Sequence, residues 1–342
     1  MKLLYLFAIA LLFSTAALAQ DYNTPVEYMN AISKQQENVS KKYMSYTSAV
    51  AHGKRARKLE KLREKLVNEV EEARENVGSM PSFNGDKAYR DTAVNFLKLY
   101  YNVLNEDYAK IVDMEEISEQ SYSDMEAYLM AEEMVDKKME EGNQRMNDAQ
   151  NAFAKKNNVR LNSEKSELGE MMEQVHLLNV YYHQVYLIFF KAYKQDVYLN
   201  EAVTKNNVTG IEQNRNAMLK YAQEGLEKLK DVKPFQGDNS VAQACQAALK
   251  FFIKEANEIA PSFSDYILAK EKFETIKKDF EKKSDPSKSE IDEYNKAVKD
   301  INAASQKANS NSNNVNQMRN EVLKGWDDTS NSFFDEHTPH YK

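Results

Sequence analysis

The sequence is poor in the residues that interrupt helices or cross-link chains. It has nine glycines, six prolines and one cysteine in 342 residues. One cysteine cannot form an internal disulfide, and no alternating run rich in Val, Ile or Thr indicates a strand. A chain with so few turn formers is expected to form long helices, so we predict an all-α fold. Cys245 falls on an apolar helical stripe, which favours a buried small side chain over the alternative, a reactive thiol.

The sequence also lacks the motifs of common active sites. It has no Cys-x-x-Cys-His for covalent haem, no His-Glu-x-x-His, no Gly-x-Ser-x-Gly and no Gly-rich phosphate loop. Histidine is scarce as well, since two of the five histidines lie within the last six residues. We therefore predict a protein that is not an enzyme and holds no cofactor.

The first nineteen residues have the pattern of an export signal. Lys2 is followed by an apolar stretch from Leu3 to Phe13, and Ala17-Leu18-Ala19 matches an Ala-x-Ala cleavage site. The apolar stretch is shorter than the roughly 20 residues that a membrane anchor needs. We expect cleavage after Ala19 and export to the periplasm or the outer surface of a Gram-negative bacterium, as a protein that is not integral to the membrane.

Charge narrows the classes of partner. Without Lys2 the chain has 45 basic and 53 acidic residues, a net charge of −8. Such a surface repels phosphate, which argues against nucleic acid or anionic lipid as the main partner. Another envelope or surface protein is the partner that we expect.

A four-residue motif occurs twice and reveals an internal repeat. Phe83-Asn84-Gly85-Asp86 recurs 152 positions later as Phe235-Gln236-Gly237-Asp238, and the gapless alignment around it has eight identities in 32 positions. A period near 150 residues is typical of a duplicated domain. We predict a first helical unit at 20–161 and a second at 162–342.

Each copy is predicted to form an antiparallel four-helix unit. The second copy differs in its last two helices, because each arm of that hairpin is 14 residues longer than in the first copy. Fourteen residues are two heptads, so the helical seam stays in register while the hairpin lengthens by about 21 Å. The matched gain indicates that these two helices are antiparallel neighbours.

The repeated motif is interpreted as a helix start rather than a ligand site. An Asp carboxylate can accept hydrogen bonds from the free N–H groups of a first helical turn, and a Phe just before it can pack back on the helix. The residues predicted to have this structural role are Phe83, Gly85, Asp86, Phe235, Gly237 and Asp238.

One helix has residues that could ligate a metal. Glu173 and His176 lie three apart and share one face of a predicted helix, as in half of a di-iron carboxylate site, and His183 lies seven residues after His176. A complete site needs a second Glu-x-x-His, which the chain lacks. We expect these histidines to be structural and predict no metal, with Glu173, His176 and His183 as the weak candidates.

The same helix, predicted at 163–203, has the most apolar stretch of the mature chain at residues 180–193. It is too short and too interrupted by polar residues to span a bilayer. We expect it to be a buried central helix of the second unit. The alternative is that it lines a cavity for an apolar or haem-like ligand.

Two short segments resemble a known type of protein. They are 151–159 (NAFAKKNNV) and the tail 331–337 (NSFFDEH). The chain is similar, through them, to an uncharacterised family of exported, all-helical surface proteins of spirochaetes and Bacteroidota-type bacteria. This resemblance implies a location in the cell envelope and no known enzymatic activity, and it brings no functional residues.

Three functions follow from these observations, in order of preference. The first is a non-enzymatic envelope protein that acts as a binding or scaffold module through its helical surfaces. The second is a carrier that holds an apolar or haem-like molecule within the second helical bundle. The third is a metal-dependent redox protein that uses Glu173 and His176.

Overall fold

A computed structural model describes residues 22–107, 121–161 and 166–342. Within these ranges the chain forms nine α-helices and no strand, which confirms the predicted all-α class. The predicted signal peptide, 1–19, lies outside the described residues. None of the described helices combines the length and apolar character that crossing a membrane requires.

Four helices precede residue 162. They are α1 (Pro25–Ala51), α2 (Ala56–Ser79), α3 (Ala88–Asn102), which continues as a π-helical turn (Val103–Asp107), and α4 (Tyr122–Lys156).

Five helices follow. They are α5 (Glu167–Thr204), α6 (Val208–Leu229), α7 (Ser240–Lys254), which continues as a second π-helical turn (Glu255–Ile259), α8 (Ala260–Glu281) and α9 (Lys288–His337).

Local sequence explains where these helices begin. At α1, the Thr24 hydroxyl accepts a hydrogen bond from the Glu27 N–H and the Glu27 carboxylate accepts one from the Thr24 N–H. Ser287 and Glu290 form the same reciprocal capping box at α9. Each pair satisfies N–H groups that a helix start leaves without a partner in the helix.

The chain packs into two compact units, each with its own core. The first consists of the described residues within Met1–Tyr43, Lys61–Asp107 and Val135–Glu164, and the second of those within Met44–Glu60, Tyr108–Met134 and Lys165–Lys342. These units differ from the sequence halves 20–161 and 162–342. The reason is packing: Met125 and Leu129, near the start of α4, are buried in the second core.

The repeated motif forms the same tight turn in both places. Phe83 and Asp86 exchange two backbone hydrogen bonds, of 3.0 and 2.9 Å, and Phe235 and Asp238 exchange two of 2.8 Å. In each turn both central residues have positive φ. The angles are +49° at Asn84 and +82° at Gly85 in the first turn, and +51° at Gln236 and +94° at Gly237 in the second. Two successive positive φ angles define the type I′ turn, which Asn-Gly favours and which the sequence interpretation overlooked.

The helix that follows each turn is also the same. It begins two residues after the Asp, runs for fifteen residues and then becomes a five-residue π-helical turn. The two π-helical turns are 152 residues apart, which is the offset of the sequence repeat. The duplication itself stays a prediction from the sequence; these matching backbones are what it predicts locally.

Equivalent aromatic residues pack on both turns. In the first unit the rings of Tyr28, Phe83 and Phe153 lie 5.4–5.5 Å apart. In the second unit the rings of Tyr181, Phe235 and Phe333 lie 5.4–5.7 Å apart. Each turn therefore joins the first and last helices of its sequence half through a cluster of three rings, in which such pairs stabilise by about 0.5–1.5 kcal/mol beyond burial.

Residues 268–303, which we call the arm, form a two-helix hairpin from the end of α8 and the beginning of α9. Ala297 is its one buried residue. The hairpin is held by its own contacts, since the rings of Phe280 and Tyr294 stack at 4.6 Å and the capping box of α9 lies at its tip. The C-terminal hairpin that the sequence predicts to be lengthened is thus mostly surface.

Cys245 is fully buried in the second core, as its stripe position predicted. Burial raises the pKa of its thiol well above the usual range. Because the thiolate is the reactive form, this environment agrees with a structural role.

Replacement of Gly237 by Ala tests the repeated turn. At φ +94° an added Cβ strains the backbone, so we expect the second unit to lose about 1–2 kcal/mol of unfolding free energy. Urea denaturation followed by the emission of Trp326, the single tryptophan, measures this.

Gly325→Ala is the matched control. Gly325 lies within α9 and nothing lies within 4 Å of an added Cβ, so this change should stabilise by about 0.5–1 kcal/mol. Equal effects of the two substitutions would contradict the turn geometry.

Candidate functional site

The weak metal candidates lie on α5. Glu173 and His176 are exposed and His183 is half-buried, and each of the three already interacts with another group of the protein. Among the described residues, the group that brings three potential ligand atoms within 4.8 Å of one another is a different one: Asp238, Glu336 and His337.

The contact between Asp238 and His337 in this group has a counterpart in the first unit, and this counterpart favours a structural role. The His337 Nε2 lies 2.9 Å from the Asp238 Oδ2. In the first unit, the Lys156 Nζ lies 2.7 Å from the Oδ2 of Asp86, the repeat equivalent of Asp238. In both units a basic side chain from the last helix therefore pairs with the Asp of the turn, and lysine is not a metal ligand in such sites.

The turn carboxylates also cap the next helix. The Oδ1 of Asp86 accepts from the Ala88 N–H at 2.9 Å, and that of Asp238 accepts from the Ser240 N–H at 2.7 Å. The bonds from Lys156 and Ala88 hold the pKa of Asp86 below its usual range. At Asp238 burial raises the pKa, but the bonds from Ser240 and His337 outweigh it and the net pKa is lowered. The turn carboxylates thus bind N–H groups at the start of the next helix, although the N-cap residues are Lys87 and Asn239 rather than the predicted Asp86 and Asp238.

The substitution His337→Lys separates the structural role from metal binding. We expect it to cost at most about 1 kcal/mol, because lysine keeps the pairing with Asp238 but loses the ring contacts with Phe235 and Phe333. Added zinc should shift the melting temperature of neither protein. A zinc-dependent rise in the wild type that His337→Lys abolishes would instead identify a metal site.

The aromatic residues of α5 pack against one another and against α9. The rings of Phe189 and Trp326 stack at 4.1 Å, and Tyr186 lies 5.7 Å from Phe190 and 6.2 Å from Trp326. One face of α5 is nevertheless at the surface, since Leu177 and Val180 are about half exposed, so the helix is not buried on all sides as predicted.

The most unusual feature of the second unit is a buried ionic network. Asp196 on α5 and Glu255 at the start of the second π-helical turn are each 1% exposed. Both accept hydrogen bonds from Arg319 on α9. The Arg319 Nε donates to Asp196 Oδ2 at 2.9 Å, and its Nη2 donates to Asp196 Oδ1 at 3.0 Å and to Glu255 Oε1 at 2.5 Å. Three helices therefore meet at one guanidinium.

The π-helical turn positions this network. A π-helical turn shifts the backbone hydrogen-bond pattern and leaves carbonyl groups free for other donors. The Arg215 Nε of α6 donates to the Ala256 carbonyl at 2.6 Å, and the Ser262 hydroxyl donates to the Ile259 carbonyl at 2.7 Å. Asn311 of α9 donates to the Ser262 hydroxyl at 2.9 Å. Asn311 thus joins α9 to the beginning of α8, just after the turn.

Burial changes the proton affinity of Glu255. Desolvation and the nearby charge of Asp196 raise the pKa of Glu255 to about 9, although Arg319 opposes the shift. Burial therefore favours the neutral, protonated form of this carboxyl group. A shift of this kind is common at functional sites and also occurs in structural networks.

A groove of about 510 Å³ runs beside the network on the surface between α5 and α9. Asp196 and Arg319 contribute to its floor, and Leu323 and Val197 to its apolar walls. The groove gives water a route to the edge of the network. Chemically, the arrangement can hold and release a proton. Each nitrogen of Arg319 already donates within the protein, and the Nη1 donates to the Asn316 Oδ1 at 2.8 Å.

Sequence reasoning did not identify Asp196, Glu255 or Arg319. A signal was present: Asp196 lies between Ala192 and Leu199 on the apolar stripe of α5, and Glu255 lies four residues from Phe251 on that of α7. A charged residue at a stripe position is rarely buried without a partner. The position of that partner on α9 depends on the tertiary structure.

Comparisons with protein-family models, with curated proteins and with solved structures find no match to this chain. The resemblance to exported surface proteins therefore remains a prediction from the sequence.

Substitution of Arg319 tests the network. Arg319→Met leaves two buried carboxyl groups without their cation and should cost about 3–5 kcal/mol of unfolding free energy at pH 7. Arg319→Lys keeps the charge but cannot make the bidentate contacts, so we expect an intermediate loss. Urea denaturation followed by Trp326 emission gives both values. Equal stability of wild type and Arg319→Met would show that the network contributes nothing.

Proposed function

We propose that this protein is a non-enzymatic, exported binding module of the Gram-negative cell envelope, and that the arm contacts a partner protein. The observation that supports this most directly is the arm itself. It is a hairpin of 36 residues, 268–303, that buries one of them, so it contributes little apolar burial to the core. Its own cap and ring stacking nevertheless hold it in shape.

The surface of the arm favours a protein as the partner. It has nine lysines and nine acidic residues, so its net charge is zero. Nucleic acid and anionic membranes select a basic surface, whereas mixed charge with isolated apolar residues suits a protein. Two large apolar side chains, Leu268 and Ile291, are exposed on the arm.

The lysines near the tip of the arm are partly paired with acidic side chains. Two of its lysines form ion pairs, Lys282 with Asp279 and Lys283 with Glu290. Surface pairs of this kind contribute at most about 1 kcal/mol. The exposed apolar side chains Leu268 and Ile291 are therefore the ones most suited to a contact, because apolar area supplies most of the affinity at the centre of an interface.

Site-specific photo-crosslinking in the native envelope tests the proposal. A photoreactive amino acid replaces Leu268 or Ile291 on the arm, and Leu177 on α5 in the control. Leu268 and Leu177 are a matched pair, because both are 51% exposed. We expect one discrete cross-linked product from the two arm positions and none from position 177. The same product from all three positions, or none from the arm, would contradict a binding role for the arm.

A shortened arm provides the second test. Deletion of 268–281 together with 293–306 removes two heptads from each helix and keeps the tip with its capping box. We expect helicity per residue and the Trp326 unfolding midpoint to stay close to those of the wild type, and the cross-linked partner to be lost in pull-down. Global unfolding of this variant would show that the arm is core rather than a contact element.

A further inference from the structure

The charges of the buried network do not balance when all groups are ionised. Two carboxylates, Asp196 and Glu255, share one guanidinium, and both accept from the same Arg319 nitrogen, Nη2. The net charge would be −1 at a place where the carboxyl groups are 1% exposed. A net buried charge is costly, and a protein relieves it by binding a proton.

One oxygen marks where that proton belongs. The Glu255 Oε2 is buried and has no hydrogen-bond partner among the described residues. The Asp196 Oδ1 and the Glu255 Oε1 lie 3.0 and 2.5 Å from the same Arg319 nitrogen, so the two carboxyl groups are close together. A protonated Glu255 can donate to Asp196, which satisfies the oxygen and makes the network neutral.

We propose that one proton, shared between Glu255 and Asp196, is part of the native second unit, and that its release loosens α9 from the rest of this unit. Glu255 and Arg319 hold α9 just after its polar stretch 305–314, in which Ala308 is the one buried hydrophobic residue. With the proton gone, the second carboxylate needs water, and the adjoining groove supplies it.

The other charged groups around Glu255 are already engaged or exposed. On α6, Glu212 pairs with Arg215, and Arg215 binds the Ala256 carbonyl. On the same segment as Glu255, Lys254 and Glu258 are exposed.

Further groups complete the surroundings. On α5, Glu201 pairs with Lys205 at the rim of the groove. The residues that α8 buries near the network, Ser262 and Ser264, are uncharged. Asp196 and Arg319 are thus the charges that control Glu255.

The direction of the pH effect follows from the folded and unfolded proton affinities. The pKa of Glu255 is about 9 in the folded protein and 4.5 is its ordinary value. The folded state therefore binds one proton more than the unfolded state between these limits. The stabilisation from this proton is fully present at acid pH and is lost as the pH rises towards 9.

The full mature chain with Glu255→Gln tests the proposal, because Gln imitates the protonated acid and cannot titrate. The unfolding constant, from urea denaturation followed by Trp326 emission, is measured from pH 5.5 to 9.5. We expect the ratio of the wild-type constant to that of Glu255→Gln to rise about tenfold per pH unit between pH 6 and 8 and to level off above about 9.

Asp196→Asn is the second variant. It leaves one carboxylate for one guanidinium, so Glu255 can ionise against Arg319. Its pH profile should follow that of Glu255→Gln rather than that of the wild type. This profile also keeps the proposal testable if Glu255→Gln does not fold.

Two outcomes would overturn the proposal. One is a wild-type profile parallel to that of Glu255→Gln, which would show that no proton is bound at the network. The other is a wild-type slope that Asp196→Asn retains in full, which would show that Asp196 does not share the proton. A purely structural ion pair predicts lower stability in both variants at every pH and no change of slope.

Discussion

The second unit depends on the hydrogen bonds from one guanidinium, that of Arg319, to two buried carboxyl groups. Arg319 joins α5, the second π-helical turn and α9 at one point, just after the polar stretch 305–314 of α9. The π-helical turn serves this meeting, because it places Glu255 in the interior and frees carbonyls for Arg215 and Ser262. The backbone geometry of the turn and the ionic contacts therefore position the same segments of the chain.

The first unit shares the backbone of this arrangement. Its π-helical turn also follows a helix of fifteen residues. The tight turn before that helix has the same backbone hydrogen bonds and positive φ angles as the one in the second unit. Pro261 cannot be the sole cause of the second π-helical turn, because the first occurs where the repeat has alanine, at position 109. The shared geometry supports, without replacing, the prediction of a duplicated ancestor.

The arm and the network divide the second unit into parts with different requirements. The network joins α9 to α5 and the second π-helical turn through charged side chains, beside the core residues Val315 and Leu323 of α9. The arm has almost no buried area, so it can vary in sequence without cost to the core. This separation suits a protein whose body is stable while one element is free to bind.

The sequence alone determined the helical class and the place of the repeated motif, whereas the type I′ turn that this motif forms was not predicted. The signals are local: scarce glycine and proline, apolar stripes at spacings of three and four, and Phe-x-Gly-Asp. Each of them acts through hydrogen bonds between residues that are close in sequence. The sequence did not determine the two packed units, because no local pattern shows which of the two cores buries Met125.

The tertiary structure alone decided the network. Asp196, Glu255 and Arg319 are 59 and 64 residues apart in sequence, and no local pattern joins them. Whether a charged side chain on an apolar stripe is paired depends on what faces it across the bundle. That is a property of helix packing, since the free energy of a buried charge is set by its neighbours in space.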